Sequence, residues 1–538
     1  MANPKLTSVS GQVGRVQSEN FDDQAAIDKT LTAEIVIALC GPMGTPLHEV
    51  AKTFKEMLEG VDYGYDEVVV LTLSDEIREK AGLQTEKSIV KLIEAGNALR
   101  ERYGNSVLAR LAIRKITLSR ERVQVASDLQ QKGLFDEIPD SDTLLPRATR
   151  RCCHIIDSIK HVDELRLLRS VYGDMLQVVG VYSPIELIIE RLERRKGPGD
   201  EIHELIDRDS GEEVSHGQRV EDTFPQSDFF LRVDATTDTH RKTRVRRFLD
   251  LLLGAKIVTP TDNERAMYAA FSAARNSACL SRQVGAAITN EEGDVISTGW
   301  NDVPRAFGGL YGTADQNSSS DIDRRCWNMD GGKCFNDEEK TLIANTLVDK
   351  LLISGLIDPA LRGEVFELVR HDSQLKSLIE FSRAVHAEMH ALLSAGESNG
   401  NKIRGGKLFV TTYPCHSCAR HLVAAGIREV YFLEPYRKSL ATKLHADSIT
   451  EREGDLDKVR LMPFDGVAPS RFLKFFSAHP GGRKNTQGQM HVRQASPVTA
   501  ITMEAIPTLE ALAVNALDSR GLHEGPAPIS LINSKQGE

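Results

Sequence analysis

Arg383-Ala-Val-His386-Ala-Glu388-Met-His390 and, after a further apolar run, Lys407-Leu-Phe-Val-Thr-Thr-Tyr-Pro414-Cys415-His-Ser-Cys418 decide how this chain is read. One imidazole and two thiolates are nitrogen and sulfur donors of the kind zinc accepts, and three protein ligands leave a fourth position for water. An ion held so lowers the pKa of water towards neutrality, which makes a hydroxide nucleophile available. Glu388 stands two residues after the histidine, placed to stay off the metal and carry protons as a general acid and base. The local pattern suits this. Residues 385–395 have helical apolar spacing with Gly396 as a stop, 407–412 reads as a strand, 415–425 as a helix ending at Gly426, and 428–433 as the next strand. That β-α-β order predicts parallel neighbours with a right-handed crossover. Both cysteines then fall in the first turn of a helix, where the positive end of the dipole favours thiolate.

Neither half of the motif means much alone. A single Cys-x-x-Cys is more often a structural zinc knuckle or a redox pair, and His-x-Glu by itself is uninformative. His390 lies one turn after His386, but a zincin pattern requires Glu directly after the first histidine, and Ala387 is there. His390 is therefore read as a core or supporting residue.

The chain has 538 residues, enough for two to four domains, with 41% hydrophobic and 27% charged residues, an ordinary globular composition. A formal net charge of −10 weighs against a long nucleic-acid substrate, although a local basic groove can sit on an acidic protein. The eight cysteines at 40, 152, 153, 279, 326, 334, 415 and 418 are spread as in a reduced protein with one metal site, not a disulfide framework. No segment has signal-peptide form and no apolar run approaches a membrane span, so the expectation is a cytoplasmic protein without membrane contact.

Residues 1–30 are polar and read as a flexible arm. Residues 31–255 alternate strands and helices as a parallel α/β domain. Its first strand runs into Cys40-Gly41-Pro-Met-Gly44-Thr45 and a helix, the frame of a phosphate-cradling loop, so Gly41, Gly44 and Thr45 are candidate nucleotide contacts. The Gly-Lys-Ser/Thr ending of a full P-loop is missing, and a plain tight turn explains the stretch equally well. Asp157, at a strand end, stands where a Walker-B carboxylate could sit, and Arg191 to Lys196 form a basic helix end before Gly197-Pro-Gly199. Residues 256–480 form the second domain, with a hairpin over 284–289 and 295–299. An insertion at 305–382 is Gly/Ser-rich at first (Ser318-Ser-Ser320) and then helical at about 338–356 and 359–381. Its Cys326 and Cys334, with His371, are candidates for a second zinc, against a default of free or buried thiols. Residues 481–538 form a polar tail with one helix near 501–517.

On Ser281-Arg-Gln-Val-Gly-Ala-Ala287, Ser297-Thr-Gly-Trp-Asn301, His386-Ala-Glu388 and Tyr413-Pro-Cys-His-Ser-Cys418, residues 262–450 resemble the deoxycytidylate deaminase branch of the zinc deaminases. With Ile155-Ile-Asp-Ser-Ile-Lys-His161 and Pro435-Tyr-Arg-Lys-Ser-Leu-Ala441, the chain from 31 to 475 is similar to the bacterial anti-phage dCTP deaminases. Those join a P-loop kinase-like parallel-sheet module to a cytidine-deaminase-like three-layer α/β/α domain. The resemblance implies hydrolysis of a C–N bond in a cyclic amidine, dCTP and dCMP giving dUTP and dUMP with ammonia, which depletes deoxycytidine nucleotides during infection. It implies Zn²⁺ on His386, Cys415 and Cys418, Glu388 as proton shuttle, and Asn301 and Arg282 as substrate contacts. It further implies a homo-oligomer, a regulatory nucleotide at the first module, and a regulatory RNA or phage-derived trigger. An RNA or DNA cytidine deaminase, a kinase/deaminase of nucleotide salvage and a non-catalytic zinc scaffold are the competing readings.

Overall fold

Short strands with side chains alternating between two apolar faces build two sheets, each covered by helices on both sides. The computed structural model describes residues 31–86, 88–131, 151–195, 219–233, 238–313, 323–329, 331–434 and 439–478, with pieces of 483–522. The expected arm 1–30, Lys196 to Gly199, Ser318 to Ser320 and Pro435 to Lys438 lie outside the described residues.

The strands are β1 Leu31–Thr32, β2 Ile35–Cys40, β3 Glu67–Thr72, β4 Cys152–Ile159, β5 Leu176–Tyr182, β6 Phe229–Arg232, β7 Gly285–Thr289, β8 Val295–Trp300, β9 Lys407–Thr412, β10 Glu429–Glu434, β11 Ile449–Thr450, β12 Val459–Pro463, β13 Gly466–Val467 and β14 Ile501–Thr502. The main helices are α1 Leu47–Leu58, α2 Leu73–Ala81, α3 Ile89–Tyr103, α4 Val107–Gln131, α5 Val162–Tyr172, α6 Ile185–Arg195, α7 Asp238–Leu252, α8 Asp262–Ala274, α9 Phe335–Ile353, α10 Arg362–His371, α11 Ala387–Asn399, α12 His416–Ala425 and α13 Ile506–Asp518.

The first sheet has the order β13-β6-β5-β2-β4-β3 and is parallel except for β13. Ile35, Ile37 and Leu39 face Val50 and Phe54 of α1 and Phe248 of α7, whereas Val36 and Ala38 face the layer of α4 and α5. Strands buried on both faces in this way read as continuous apolar runs. The second sheet has the order β11-β12-β10-β9-β7-β8, with β7 antiparallel to both neighbours and the rest parallel. Ala286, Ile288, Leu408 and Val410 pack on α11 and α12; Ala287 and Phe409 on the other face meet α8. Two glycines allow the helices to lie this close. A Cβ on Gly285 would stand 1.9 Å from the Ala270 carbonyl oxygen, and one on Gly299 would stand 2.4 Å from the Ala391 nitrogen. No other residue fits there.

The two sheets share an apolar wall in which Cys40, Tyr182 and Phe230 of the first meet Phe409, Leu433 and Met267 of the second. Glu264, 1% exposed, ties the junction. It caps α8 through the Thr261 nitrogen at 2.7 Å, accepts from Arg247 at 2.5 Å, and accepts from the Val467 nitrogen at 2.9 Å. The chain thus returns from the second sheet to the first at β13, antiparallel to β6.

The region after 481, expected as a polar tail with one helix, packs against the first sheet's layers. β14 pairs with β1, and α13 buries Ile506, Ala513 and Leu517 against α4 and α5. The helix begins at Ile506, later than the sequence spacing suggests. α11 runs through Gly396 to Asn399, so Gly396 is not its stop; the site is open, and a mid-helix glycine costs only about 1 kcal/mol. The second insertion helix is only Arg362–His371, with 3-10 turns on either side. α2, α3, α5 and α7 are helices that the sequence reading did not name. Among the described residues no helix is long and apolar enough to cross a membrane.

A buried polar network anchors α13. Arg120 donates to both Glu34 carboxylate oxygens (3.0 Å from Nε) and to Glu510, and His154 Nδ1 sits 3.1 Å from Glu34. Burial pushes the Glu34 carboxyl up, but the His154 hydrogen bond and the Arg120 charge override it and hold it at about 2. A depressed carboxyl stabilises the fold above its unfolded pKa and loses that contribution as pH falls through the folded one. Stability should therefore drop between about pH 4.5 and pH 2, by roughly 3 kcal/mol from this group. Urea denaturation of Glu34→Gln should show lower stability at pH 7 and a flatter acid limb than the parent.

Candidate functional site

Each of the three zinc-type donors sits at the mouth of a helix. His386 is the N-cap residue of α11, with extended backbone (φ −72°, ψ 152°), and Cys415 is the N-cap of α12, its sulfur accepting from the Cys418 nitrogen at 3.4 Å. Cys418 follows in the first turn of α12. Because β9 and β10 are parallel neighbours, the crossover helix α12 starts at the end of β9, where the chain leaves Thr412 for Tyr413 and Pro414.

His386 Nδ1 lies 3.4 Å from the Cys415 sulfur and 3.3 Å from that of Cys418. Among the described residues these three form the single group of His, Cys, Asp and Glu donors close enough to hold a metal ion, all within 4.8 Å of one another. Zinc–sulfur bonds of about 2.3 Å and zinc–nitrogen bonds of about 2.0–2.1 Å at tetrahedral angles set nitrogen and sulfur ~3.5 Å apart. The donor set fits zinc. A hydrogen bond with Cys418 outweighs burial and, helped by His386, brings the Cys415 thiol down to about 4. Its hydrogen bond raises His386 to about 9 against burial. The Cys418 thiol is pushed up, by Cys415 first and by burial. One thiolate is thus already favoured where the helix dipole points.

Glu388, 4% exposed, lies in the first turn of α11. Burial raises its carboxyl, which interacts with the Cys418 thiol and feels the His386 charge. It is close to the donors but not one of the three. A carboxylate held off the metal beside it can act as a proton carrier.

The surroundings fix this geometry. The Val385 nitrogen donates to the Asp302 carbonyl at 2.9 Å, so the residue before His386 is clamped to the end of β8. Asp302, 1% exposed, accepts from the Ala278 nitrogen at 3.0 Å and pairs with Arg325 of the insertion at 3.5 Å. Ser439 donates to the Pro414 carbonyl at 2.8 Å, and the Tyr413 hydroxyl donates to Glu451 at 2.7 Å. Asp302 and Glu451 escaped the sequence reading because an isolated acid carries no spacing signal. His390 accepts from the Trp300 nitrogen at 3.2 Å and packs edge-on against that indole, in the supporting position expected of it.

Asn301 and Arg282 are neighbours. The Asn301 amide donates to the Arg282 carbonyl at 2.8 Å and its oxygen accepts from the Val284 nitrogen at 2.7 Å, so it shapes the loop that carries Arg282. The Arg282 guanidinium is half-exposed and lies 3.4 Å from Glu434, which also accepts from the Thr412 hydroxyl at 3.3 Å beside the zinc loop.

Gly41, Gly44 and Thr45 form a tight turn before α1. The Thr45 hydroxyl donates to the Pro42 carbonyl at 2.6 Å, Lys160 from beyond β4 donates to the Gly41 carbonyl at 2.7 Å, and Ile188 of α6 packs on Gly44. Buried Asp157 sits 3.8 Å from His48, its carboxyl raised by burial. His371 is not brought to Cys326 and Cys334: it is exposed on α10, 3.6 Å from Glu367, whereas the two cysteines line a small void of about 20 Å³ with Cys279.

Residues 260–434 match the family model described as "Cytidine and deoxycytidylate deaminase zinc-binding region". The deoxycytidylate deaminase of Enterobacteria phage T2 is 27% identical over 170 residues, covering 32% of this chain and 78% of that protein. ComE operon protein 2 of Bacillus subtilis is 31% identical over 111 residues, 21% of this chain and 55% of its own length. A UPF0200 protein of Saccharolobus islandicus is 25% identical over 211 residues, 38% of this chain and 88% of its own. The solved dCMP deaminase of cyanophage S-TIM5 in complex with dCMP and dUMP aligns at 20% identity and TM-score 0.22, over 38% of this chain and 99% of that one. His386, Glu388, Cys415 and Cys418 all lie within the residues that this family model matches.

Proposed function

We propose that this chain is a zinc-dependent hydrolytic deaminase of deoxycytidine nucleotides, converting dCTP and dCMP to dUTP and dUMP. The observation that carries the proposal is Glu388, a buried carboxylate against the three-donor group and outside it. The relatives named deoxycytidylate deaminase support the substrate class.

His386, Cys415 and Cys418 would hold the ion. When bound, it supplies Lewis acidity that makes water a nucleophile near neutral pH. Glu388 takes a proton from the attacking water and delivers it to N3 of the cytosine ring as oxygen adds at C4. It then carries a second proton to the departing amine, so that cytosine and water give uracil and ammonia. Burial suits Glu388 to this work, because raising the carboxyl above its ordinary range strengthens its hold on the proton it takes from water. Arg282, half-exposed on the turn that Asn301 shapes, would meet the phosphate, and Asn301 would contact the sugar; the exposure of the guanidinium and its nearness to Glu434 and Thr412 support this reading.

For the first sheet we assign sensing and not phosphoryl transfer. Leu47 stands near the position of a loop lysine, and the Lys160 amine is engaged on the Gly41 carbonyl. Depletion of deoxycytidine nucleotides as a defence against phage is the role this activity would serve.

Purified protein should release ammonia from dCTP or dCMP, and not from single-stranded DNA or RNA, with uracil nucleotides resolved by chromatography. Glu388→Ala should lose about 10²–10⁴-fold in kcat while keeping its zinc. Cys418→Ala should lose the metal as well. Release from oligonucleotides alone, or full activity in Glu388→Ala, overturns the proposal.

A further inference from the structure

Three consecutive residues that follow β11 hold three different parts of the molecule. Glu451 accepts from the Tyr413 hydroxyl at 2.7 Å, Arg452 Nε lies 3.1 Å from Glu186 in the first turn of α6, and Glu453 accepts from Arg232 at the end of β6. Tyr413 stands two residues before Cys415, so one end of the run is fastened to the zinc loop and the rest to the layers of the first sheet. The turn between is tied within itself and to the second sheet. The Thr450 hydroxyl donates to Asp455 at 2.8 Å and accepts from the Arg452 nitrogen at 3.0 Å. Arg460 of β12 donates to the Glu453 carbonyl at 3.3 Å and pairs with Glu429 of β10. A short turn with its polar groups engaged in this way behaves as one stiff piece.

The contacts at its ends depend on polar groups that an apolar substitute would not replace. The Tyr413 ring meets Phe432 of β10 edge-on, with centroids 4.8 Å apart, and a phenylalanine would pack there as well. What the hydroxyl adds is the link to Glu451. That link bears on the metal donors because Cys415 and Cys418 both follow Tyr413 on the path into α12, and the groups behind a ligand set where it stands. At the other end, Glu453 and Arg232 line a cavity of about 260 Å³ with Arg244 and Arg247, so charge and not tight packing holds the carboxylate there. Arg452 and Glu186 are 70% and 46% exposed, and α6, which bears Glu186, packs Ile188 on Gly44. The run therefore spans from the helix beside the Gly41–Thr45 turn to the loop of zinc donors.

We infer that Glu451 is a positioning residue for Cys415 and Cys418, and that Arg452 and Glu453 brace it against the first sheet. The hold on zinc then depends on a part of the chain that supplies no donor. Release of either brace lets Glu451 fall back from the Tyr413 hydroxyl and loosens the turn on which both thiolates stand. The inference rests on His386, Cys415 and Cys418 as the zinc donors, and not on which substrate the site takes.

Zinc transfer from the loaded full-length chain to a chromogenic chelator, timed without substrate, tests it. Tyr413→Phe and Glu451→Ala should each release zinc about tenfold faster, and the two together no faster than either alone. Glu451→Gln keeps an oxygen to accept the hydroxyl and should recover most of that loss. Arg452→Glu and Glu453→Ala should each speed release about threefold at an unchanged thermal melt, and adding Glu186→Arg to Arg452→Glu should return it to within about twofold of the parent. Where dCMP is turned over, kcat should fall in the same order with KM held within about twofold. Parental release in Tyr413→Phe, additive loss in its combination with Glu451→Ala, or parental release in both Arg452→Glu and Glu453→Ala overturns the inference. Arg452 and Glu186 are exposed, so their exchange decides the matter even if the buried tyrosine variant fails to fold. Zinc release as stated, with no turnover of cytosine nucleotides, sinks the deaminase proposal and leaves this one standing.

Discussion

Two helix N-termini converge on one group of three donor atoms, and the second sheet is arranged around that convergence. His386 caps α11 and Cys415 caps α12, so the positive ends of both helix dipoles point towards the place where thiolates gather. The helices reach that position for reasons away from the site. α11 can approach β8 because Gly299 has no side chain, and α12 begins where it does because β9 and β10 are parallel and need a crossover. The clamp from Val385 to Asp302 then fixes the entry of the first donor.

The same constraint explains why the site was legible in the sequence. His386 to Glu388 and Cys415 to Cys418 are local spacings on elements whose periodicity is plain, so the β9-α12-β10 unit could be read nearly residue for residue. The first sheet was legible from its apolar strands for the same reason. What escaped depends on partners far along the chain. Glu510 looks like an ordinary surface acid of a polar tail until Arg120, 390 positions earlier, is seen against it. β13 has two residues and no pattern, and it belongs to the first sheet only because β6 lies beside it. Gly396 looked like a terminator, yet it sits on an open helix face where its cost is small.

The junction between the sheets is more than a linker. Tyr182, Phe230 and Phe409 bury one another, and Glu264 joins α7, α8 and β13 through its two oxygens. A buried carboxylate with all its acceptors used holds its neighbours in one arrangement, because breaking any contact leaves a charge uncompensated. α8 in turn packs on β7 beside the loop of Arg282 and Asn301. The insertion reaches the zinc donors from the opposite direction through Arg325 and Asp302. The donors sit between the junction of the two sheets and the insertion.

X-ray absorption at the zinc edge of the purified, unsupplemented protein tests the central claim most directly. One zinc per chain with two sulfur neighbours at about 2.3 Å and nitrogen or oxygen neighbours at about 2.0–2.1 Å is the predicted result. A protein without zinc, or a shell of four sulfurs, would contradict the account.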